Sequence, residues 1–325
     1  MTTDLLCPSC AFPKHELVFT SWNGYPIRRC ESCRLVFTDD RQAPPPETLY
    51  PHFEQTDNVA RKNVRSALSV FSDQRAAVVE RMTKRSSLPH SAAAYSGTKK
   101  RLLDYGCGSG AFARFMAARG YDVVGLEPFS LGSPTNEPSL TLLRKPFESA
   151  RAELGEFDVI TLWHVLEHVH RPIELLRALG EHLAPDGVIV ISVPNFKSVQ
   201  SELFKGAWFH LDPPRHLIHF EPDTLASTVE HAGLRQVDEA PFLPEYGTSG
   251  WVQSVLNRVL PHKNFLFELV KDRGALRAMS PTNTAAHAAA SIALGAPVLA
   301  ASLPIEAVAA RSNRAGALTI AARRA

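Results

Sequence analysis

Residues 102–110 read Leu-Leu-Asp-Tyr-Gly-Cys-Gly-Ser-Gly, a short apolar run followed by an acid and three alternating glycines. A helix-like stretch, residues 111–119, comes directly after it. A strand that turns sharply into a helix needs residues that tolerate positive φ, which glycine does without steric cost. Glycine also lets backbone amides approach a ligand closely, and a helix N-terminus favours an anionic group. The segment therefore predicts a strand, a loop that binds a nucleotide-type cofactor, and a helix.

The acids beside the glycines indicate which cofactor this is. The loop also fits the loose dinucleotide fingerprint G-x-G-x-x-A. Three features favour S-adenosylmethionine. Asp104 can accept a bond from the methionine ammonium group, and Gly110 extends the pattern to D-x-G-x-G-x-G. A second apolar run ends in Glu127, whose carboxylate is suited to binding two ribose hydroxyls. A glycine-rich turn without a ligand is the alternative. The predicted cofactor residues of this region are Asp104, Gly106, Gly108, Gly110 and Glu127.

Four of the five cysteines form two Cys-x-x-Cys pairs, Cys7 with Cys10 and Cys30 with Cys33, separated by nineteen residues. Two such pairs can complete a tetrahedral metal site in which every ligand comes from the protein. Short apolar runs around Asn23-Gly24 and at residues 35–37 predict small strands beside them. Residues 1–40 are therefore predicted to form a zinc ribbon with a structural ion, which on removal unfolds mainly this segment. A rubredoxin-like iron site and paired disulfides are the alternatives.

The rest of the chain divides into a connecting segment and an α/β domain. Residues 41–100 are predicted to be a linker with a capping helix, because apolar residues recur at helical spacing over residues 63–85. From residue 101, strands and helices alternate, which predicts a Rossmann-like, doubly wound sheet over residues 101–243 and 315–325, with a helical insertion over residues 244–314. The seven predicted strands are residues 101–105, 122–126, 140–143, 157–162, 187–193, 235–240 and 317–323.

Two segments rich in histidine follow the fourth and fifth predicted strands. Residues 162–169 read Leu-Trp-His-Val-Leu-Glu-His-Val, and residues 208–220 read Trp-Phe-His-Leu-Asp-Pro-Pro-Arg-His-Leu-Ile-His-Phe. Ligands of open α/β sheets bind beyond the carboxyl ends of the strands, where both segments begin. A neutral histidine is well suited to removing a proton near neutral pH, and His216 is the first candidate for such a base. A histidine that merely packs beneath its loop is the alternative.

These motifs together resemble bacterial class I methyltransferases with an N-terminal zinc ribbon, and the layout is similar to that of zinc-containing deoxysugar C-methyltransferases. The resemblance covers residues 1 to about 257 and implies a seven-stranded sheet that binds S-adenosylmethionine. It implies that Trp163 and His164 line the cofactor and that His168 and His216 serve the acceptor. That family has a tyrosine and a glutamate where this chain has Pro213 and Arg215, and Arg215 would suit an anionic group. The candidate catalytic residues are His216, His168 and His164, and Phe129 is a candidate for stacking on adenine.

Composition limits the partners and the location. The net charge of +2 and the lack of a dense basic stripe speak against a nucleic-acid partner. The N-terminus lacks a signal pattern, so a cytoplasmic protein is expected. Residues 280–305 contain no Asp, Glu, Lys or Arg. This composition is compatible with helices packed on the sheet, with a dimerising or interfacial surface, or with a membrane span. Gly295 and two prolines argue against the membrane span.

The predicted function is methyl transfer from S-adenosylmethionine to oxygen or carbon of a small molecule, such as a sugar nucleotide or a secondary metabolite. An RNA base methyltransferase whose ribbon grips nucleic acid is the alternative. A third reading is a non-catalytic module that binds the cofactor.

Overall fold

The computed structural model describes residues 5–49, 61–86, 99–129, 135–240, 243–271, 276 and 279–325. Two compact units alternate along the chain. The first, here the ribbon unit, comprises Met1–Ala43, Pro194–Leu225 and Pro241–Leu318, and the second, the sheet unit, comprises Pro44–Val193, Ala226–Ala240 and Thr319–Ala325. The domain boundaries predicted near residues 40, 100, 243 and 315 stay a prediction.

The described strands and helices are numbered along the chain. The strands are β1 (His15–Thr20), β2 (Pro26–Cys30), β3 (Val36–Thr38), β4 (Arg101–Tyr105), β5 (Asp122–Leu126), β6 (Thr135–Glu137), β7 (Leu140–Leu143), β8 (Phe157–Trp163), β9 (Leu183–Pro194), β10 (Ile218–His219), β11 (Leu234–Ala240) and β12 (Ala317–Arg324). The helices are α1 (Pro46–Leu49), α2 (Arg61–Ser86), α3 (Ala111–Ala118), α4 (Phe147–Leu154), α5 (Pro172–Glu181), α6 (Val199–Phe204), α7 (Pro222–His231), α8 (Pro244–Val259), α9 (Phe265–Lys271) and α10 (Pro281–Ala310).

The large sheet has the strand order β11-β12-β9-β8-β4-β5-β7-β6. The pairs β8–β9, β4–β8, β4–β5 and β5–β7 are parallel, and β11 runs antiparallel to β12. Its central strands are buried on both faces, as expected for parallel strands covered by helices. All seven predicted strands are present, which confirms the class I methyltransferase sheet.

The sheet differs from the expectation at one edge. None of the seven predicted strands includes residues 135–137. In the structure these residues form β6, which pairs antiparallel with β7 and adds an eighth strand. Three residues suffice for such a strand because the neighbouring strand supplies its hydrogen bonds.

The ribbon unit contains a smaller sheet with the strand order β1-β2-β3-β10. Its helices α8 and α10 pack on each other. Glu306 of α10 is fully buried, and its Oε1 accepts hydrogen bonds from Trp251 Nε1 at 2.6 Å and Gln200 Nε2 at 2.7 Å. The backbone N–H of Gly316 donates to the other carboxylate oxygen at 2.8 Å. These bonds hold the C-terminal end of α10 in the ribbon unit.

One helix among the described residues, α10, is long and apolar enough to cross a membrane by length and composition alone. Only 17% of its most apolar window is buried. A single helix of this kind is weak evidence for a membrane span.

Candidate active site and cysteine cluster

The three glycines after β4 all have positive φ, at 73°, 52° and 77° for Gly106, Gly108 and Gly110. A Cβ at Gly106 would lie 2.5 Å from a methyl carbon of Val165, and one at Gly110 would lie 2.8 Å from Leu142. A Cβ at Gly108 would meet no atom within 4 Å. Close packing thus requires glycine at the two outer positions, while at Gly108 the space that a Cβ would occupy is open.

Two side chains hold this loop from neighbouring strands. Glu127, directly after β5, accepts hydrogen bonds from the backbone N–H of Gly108 at 3.1 Å and of Phe129 at 3.0 Å. Arg144, directly after β7, donates from Nη1 to the carbonyl of Gly108 at 2.6 Å. The predicted acid is therefore at the loop, and Arg144 is a further loop residue that the sequence reasoning missed.

Asp104 lies near the end of β4, at the start of the loop. Its side chain is buried and accepts a hydrogen bond from Thr161 Oγ1 at 2.9 Å. Burial raises the pKa of the carboxyl group to about 7, and the charge of Glu127 adds to this, while the Thr161 bond and the charge of Arg75 oppose it. The carboxylate is therefore poised to gain from a cationic group that binds beside it.

Trp163 is the last residue of β8, one residue beyond the predicted strand, and His164 follows it directly. Trp163 is buried, contacts Phe112 edge to face at 5.6 Å, and its Nε1 has no hydrogen-bond partner among the described residues. His164 has a φ of 54°, and its Nδ1 lies 3.2 Å from Glu167 Oε1. Burial, helped by the positive charge of Arg75, lowers the pKa of His164 to about 3, so the imidazole is neutral near neutral pH.

Arg75, on α2, is a second functional candidate that the sequence reasoning missed. Its guanidinium carbon lies 5.6 Å from the centroid of the Trp163 ring, a cation–π distance. Its charge also acts on the carboxyl of Asp104 and on the imidazole of His164. Nothing in the sequence distinguishes Arg75 from the other cationic residues of α2. Its position is identified by its contact with Trp163 at the end of β8.

The two remaining candidates of the sheet unit are less buried. His168 lies in a short 3-10 helix, Leu166–His168, and is half-buried. The preceding residue, Glu167, is fully buried. Phe129 is 43% exposed and ends the described part of its loop, so no contact identifies it as an adenine partner.

His216 belongs to the ribbon unit and is buried. Its Nδ1 lies 2.7 Å from the carbonyl oxygen of His210. Because a carbonyl only accepts, Nδ1 carries a proton, and the neutral ring then has its basic lone pair on Nε2. Arg215 Nη2 lies 2.6 Å from Asp212 Oδ2, so the cation beside the histidine has an acid partner within the same loop.

The four predicted metal ligands converge in the ribbon unit. Their sulfur atoms all lie within 4.8 Å of one another, with 3.5 Å between Cys7 and Cys33 and 3.6 Å between Cys10 and Cys30. The hydrogen bond from Cys7 lowers the pKa of Cys33, which favours the thiolate, the form of cysteine that binds metals.

The two Cys-x-x-Cys turns share a backbone hydrogen bond and a position with positive φ. In each, the N–H of the first cysteine bonds the carbonyl five residues on: Cys7 to Phe12 at 3.1 Å, and Cys30 to Leu35 at 2.9 Å. In each, the residue after the second cysteine has positive φ, 55° at Ala11 and 63° at Arg34. Two matching turns that face each other present four sulfur atoms to one point, which suits a tetrahedral ion.

The chain is similar in sequence to known methyltransferases. Residues 76–239, about half of the chain, match a family model described as a methyltransferase domain. The ubiquinone biosynthesis O-methyltransferase of Acinetobacter baumannii (strain ACICU) is 31% identical over 151 residues, 42% of this chain and 63% of that protein. That of Cereibacter sphaeroides is 32% identical over 173 residues, 49% of this chain and 69% of that protein. The chain thus spans less than two thirds of the length of the first of these relatives.

A solved SAM dependent methyltransferase from Archaeoglobus fulgidus is 23% identical, with a TM-score of 0.37, over 55% of this chain and 71% of that one. The family match begins inside α2 and ends inside β11, so it includes the glycine loop and the acids on either side of it. The chain belongs to the methyltransferase-domain family.

Proposed function

We propose that this protein is an S-adenosylmethionine-dependent methyltransferase that methylates a hydroxyl oxygen of a small molecule, with His216 as the general base. The observation that carries the proposal is the pair of acids around the glycine loop, Asp104 at the end of β4 and Glu127 after β5. The cofactor, when bound, supplies an electrophilic methyl group on a sulfonium centre. The loop fits this group because the space beside Gly108, which a Cβ would occupy, is open to a ligand.

The amino-acid end of the cofactor is a zwitterion and therefore needs two opposite charges. Asp104 is the acid for its ammonium group, since pairing with a cation offsets the burial that raises the pKa of that carboxyl. Arg75 is the cation for its carboxylate, since a guanidinium binds carboxylates through paired donors. Glu127 is the acceptor for the ribose hydroxyls, and Trp163 supplies a buried aromatic surface.

The choice of base depends on basicity and tautomer. Methyl transfer needs a well-positioned acceptor that loses its proton, so one base suffices. The low pKa of His164 makes it a poor proton acceptor near neutral pH. For His216, the bond from Nδ1 to the His210 carbonyl sets the lone pair on Nε2. His168 stays the second candidate.

Oxygen is favoured over carbon as the acceptor atom by two observations. The relatives reported above are named O-methyltransferases. The tyrosine and glutamate of the similar C-methyltransferases are replaced here by Pro213 and Arg215. A sugar nucleotide is a narrower proposal, and the pairing of Arg215 with Asp212 weakens it because the cation already has an acid partner.

We also propose that Cys7, Cys10, Cys30 and Cys33 bind one structural zinc ion. Bonds of about 2.3 Å in a tetrahedral site place two sulfur atoms about 3.8 Å apart. The distances of 3.5 and 3.6 Å between paired sulfur atoms are close to this value. Four protein ligands leave no open position for a substrate. Cytoplasmic localisation and a homodimer stay predictions from the sequence.

A binding experiment tests the proposed cofactor first. S-adenosylhomocysteine at 100 times its Kd is expected to stabilise the protein by about 2.7 kcal/mol, visible as a higher melting temperature, whereas NAD has no effect. Methyl transfer to a panel of phenols, catechols and sugars is then followed by mass spectrometry. Stabilisation by NAD and not by S-adenosylhomocysteine would refute the proposal.

A further inference from the structure

The sheet of the ribbon unit includes a strand from a distant part of the chain. β10 pairs antiparallel with β3, with Ile218 opposite Phe37 and His219 opposite Val36. The N–H of Thr38 extends this pairing by donating to the carbonyl of Leu217 at 2.9 Å. The segment that carries His216 is therefore joined directly to the strand that follows the second cysteine pair.

The side chain of Thr38 makes a second connection at the same place. Its buried hydroxyl donates to the carbonyl of His216 at 2.7 Å and lies 3.0 Å from His219 Nε2. Since the single hydroxyl proton goes to the carbonyl, His219 must donate through Nε2. Burial lowers the pKa of His219 to about 3, so its neutral ring has one proton to place there. Both hydrogen-bonding capacities of the hydroxyl are thus used to hold this segment.

Further contacts connect the rest of segment 208–221 to residues 23–36. Near its middle, Asn23 Nδ2 donates to the carbonyl of Pro213 at 2.6 Å. At its end, Arg29 forms two bonds with the carboxylate of Glu221, at 2.8 and 3.2 Å. At its start, Trp208 and Leu211 share a hydrophobic cluster with Ile27 and Val36 of the ribbon. The start, the middle and the end of the segment therefore each have a partner among residues 23–38.

The cysteine cluster lies next to these contacts in the chain. Cys30 ends β2, and the turn through Cys33 leads within three residues to the start of β3. An ion bound by this turn would set the register between β2 and β3. That register in turn places Thr38 and the edge that β10 joins.

We propose that the zinc ribbon, residues 1–40, is the scaffold for residues 208–221, the segment that carries His216. Within this scaffold, Thr38 is a positioning residue for His216. Metal occupancy of the cysteine cluster therefore controls the order of residues 208–221. The role of His216 as the base rests on the proposed function, but the coupling between ribbon and segment does not. The proposal revises the expectation that loss of the ion unfolds mainly the first forty residues.

Hydrogen exchange of the full chain tests the coupling. The zinc-loaded protein and the protein treated with a chelator are compared by mass spectrometry of their peptides. The expected result is that peptides from residues 26–38 and 208–221 lose protection together, while peptides from β4 and β8 keep theirs. Loss confined to residues 1–40 overturns the proposal.

A matched pair of variants tests Thr38. Thr38→Val keeps the shape and removes the hydroxyl, and with it the bonds to the His216 carbonyl and to His219 Nε2; it is expected to lower kcat about tenfold. Thr38→Ser keeps the hydroxyl and is expected to restore most of kcat. Both variants should keep their zinc and bind S-adenosylhomocysteine with unchanged affinity. Equal kcat values for the wild type and Thr38→Val, or equal losses in both variants, overturn the role of Thr38.

These outcomes separate the two proposals. If no acceptor is methylated, or if His216→Ala keeps full activity, the proposed function fails. Exchange of residues 208–221 in Thr38→Val, compared with Thr38→Ser, then decides the scaffold proposal alone. Faster exchange in the valine variant supports it, and identical exchange in the two variants refutes it.

Discussion

Asp104 is buried, which disfavours its charged form, but the proposed binding of the cofactor requires that charge. Asp104→Asn is expected to raise the stability of the ligand-free protein and to weaken binding of the cofactor. Burial raises the pKa of the carboxyl to about 7 from an ordinary value of 3.8. At about 1.4 kcal/mol for each pKa unit, keeping the group ionised costs the ligand-free protein up to about 4 kcal/mol.

The sign of the pH dependence follows from this direction. Between about pH 4 and pH 7 the folded state holds a proton on Asp104 that the unfolded state has lost. The free energy of unfolding therefore falls as the pH rises through this window and stays low above it. Asparagine lacks this cost and can still accept the bond from Thr161. At pH 8 we expect Asp104→Asn to be more stable than the wild type by about 2 kcal/mol or more.

Binding of S-adenosylhomocysteine should change in the opposite direction. A hydrogen bond to a charged group contributes about 1.5–3 kcal/mol, so Asp104→Asn is expected to bind this ligand about ten to a hundred times more weakly at pH 8. The wild-type affinity should also rise from pH 6 to pH 8, as Asp104 ionises. The variant should lose that rise.

Urea unfolding and calorimetric titration at pH 6 and pH 8 measure both effects. Asp122→Asn is a matched control, because this acid lies half-exposed at the other end of the sheet, beside Arg101. Its stability should change by less than about 0.5 kcal/mol. The reasoning is refuted if Asp104→Asn is less stable than the wild type at pH 8, or if it binds S-adenosylhomocysteine as tightly as the wild type does at pH 8.

Three other predictions concern the remaining parts of the proposal. Arg75→Gln is expected to weaken S-adenosylhomocysteine about tenfold while leaving the affinity for 5′-methylthioadenosine, which lacks the amino-acid end, nearly unchanged; equal losses for both ligands would indicate a displaced helix instead. His216→Ala should lower kcat about a hundredfold, as loss of a general base does, with little effect on S-adenosylhomocysteine affinity, and an unchanged kcat would remove it from the mechanism. Metal analysis should find one zinc ion per chain in the native protein and none in Cys33→Ser; a native protein without metal contradicts the cysteine site.

The fold was predictable where local pattern and tertiary packing favour the same structure. The central residues of β8 and β9 are buried on both faces, so apolar residues stand at consecutive positions in the sequence, as in Val159–Ile160 and Val188–Ile191. β6 could not be found in this way, because Thr135–Glu137 is polar and becomes a strand only through its pairing with β7. The short helix α4 was also missed.

The cofactor loop was predictable because its chemistry is local. Asp104 and the glycines lie within seven residues, and Glu127 directly follows the next strand of the chain. Arg75 and Arg144 were missed because nothing near them in sequence marks them. Each acquires its place only when α2 and β7 pack beside the loop, which brings Arg75 to Trp163 and Arg144 to Gly108.

The connection between the zinc ribbon, residues 1–40, and residues 208–221 was the hardest feature to predict from the sequence. β10 has two residues, too few to form a recognisable pattern, and its partner β3 lies about 180 positions earlier in the chain. A site with four cysteines can order a short segment by itself, which is why the ribbon was expected to unfold alone. Yet Val36 and Ile27 are fully buried in a cluster that includes Trp208. We therefore expect the free energy of binding the proposed ion to be shared with the segment that carries the proposed base, so that activity requires the bound ion.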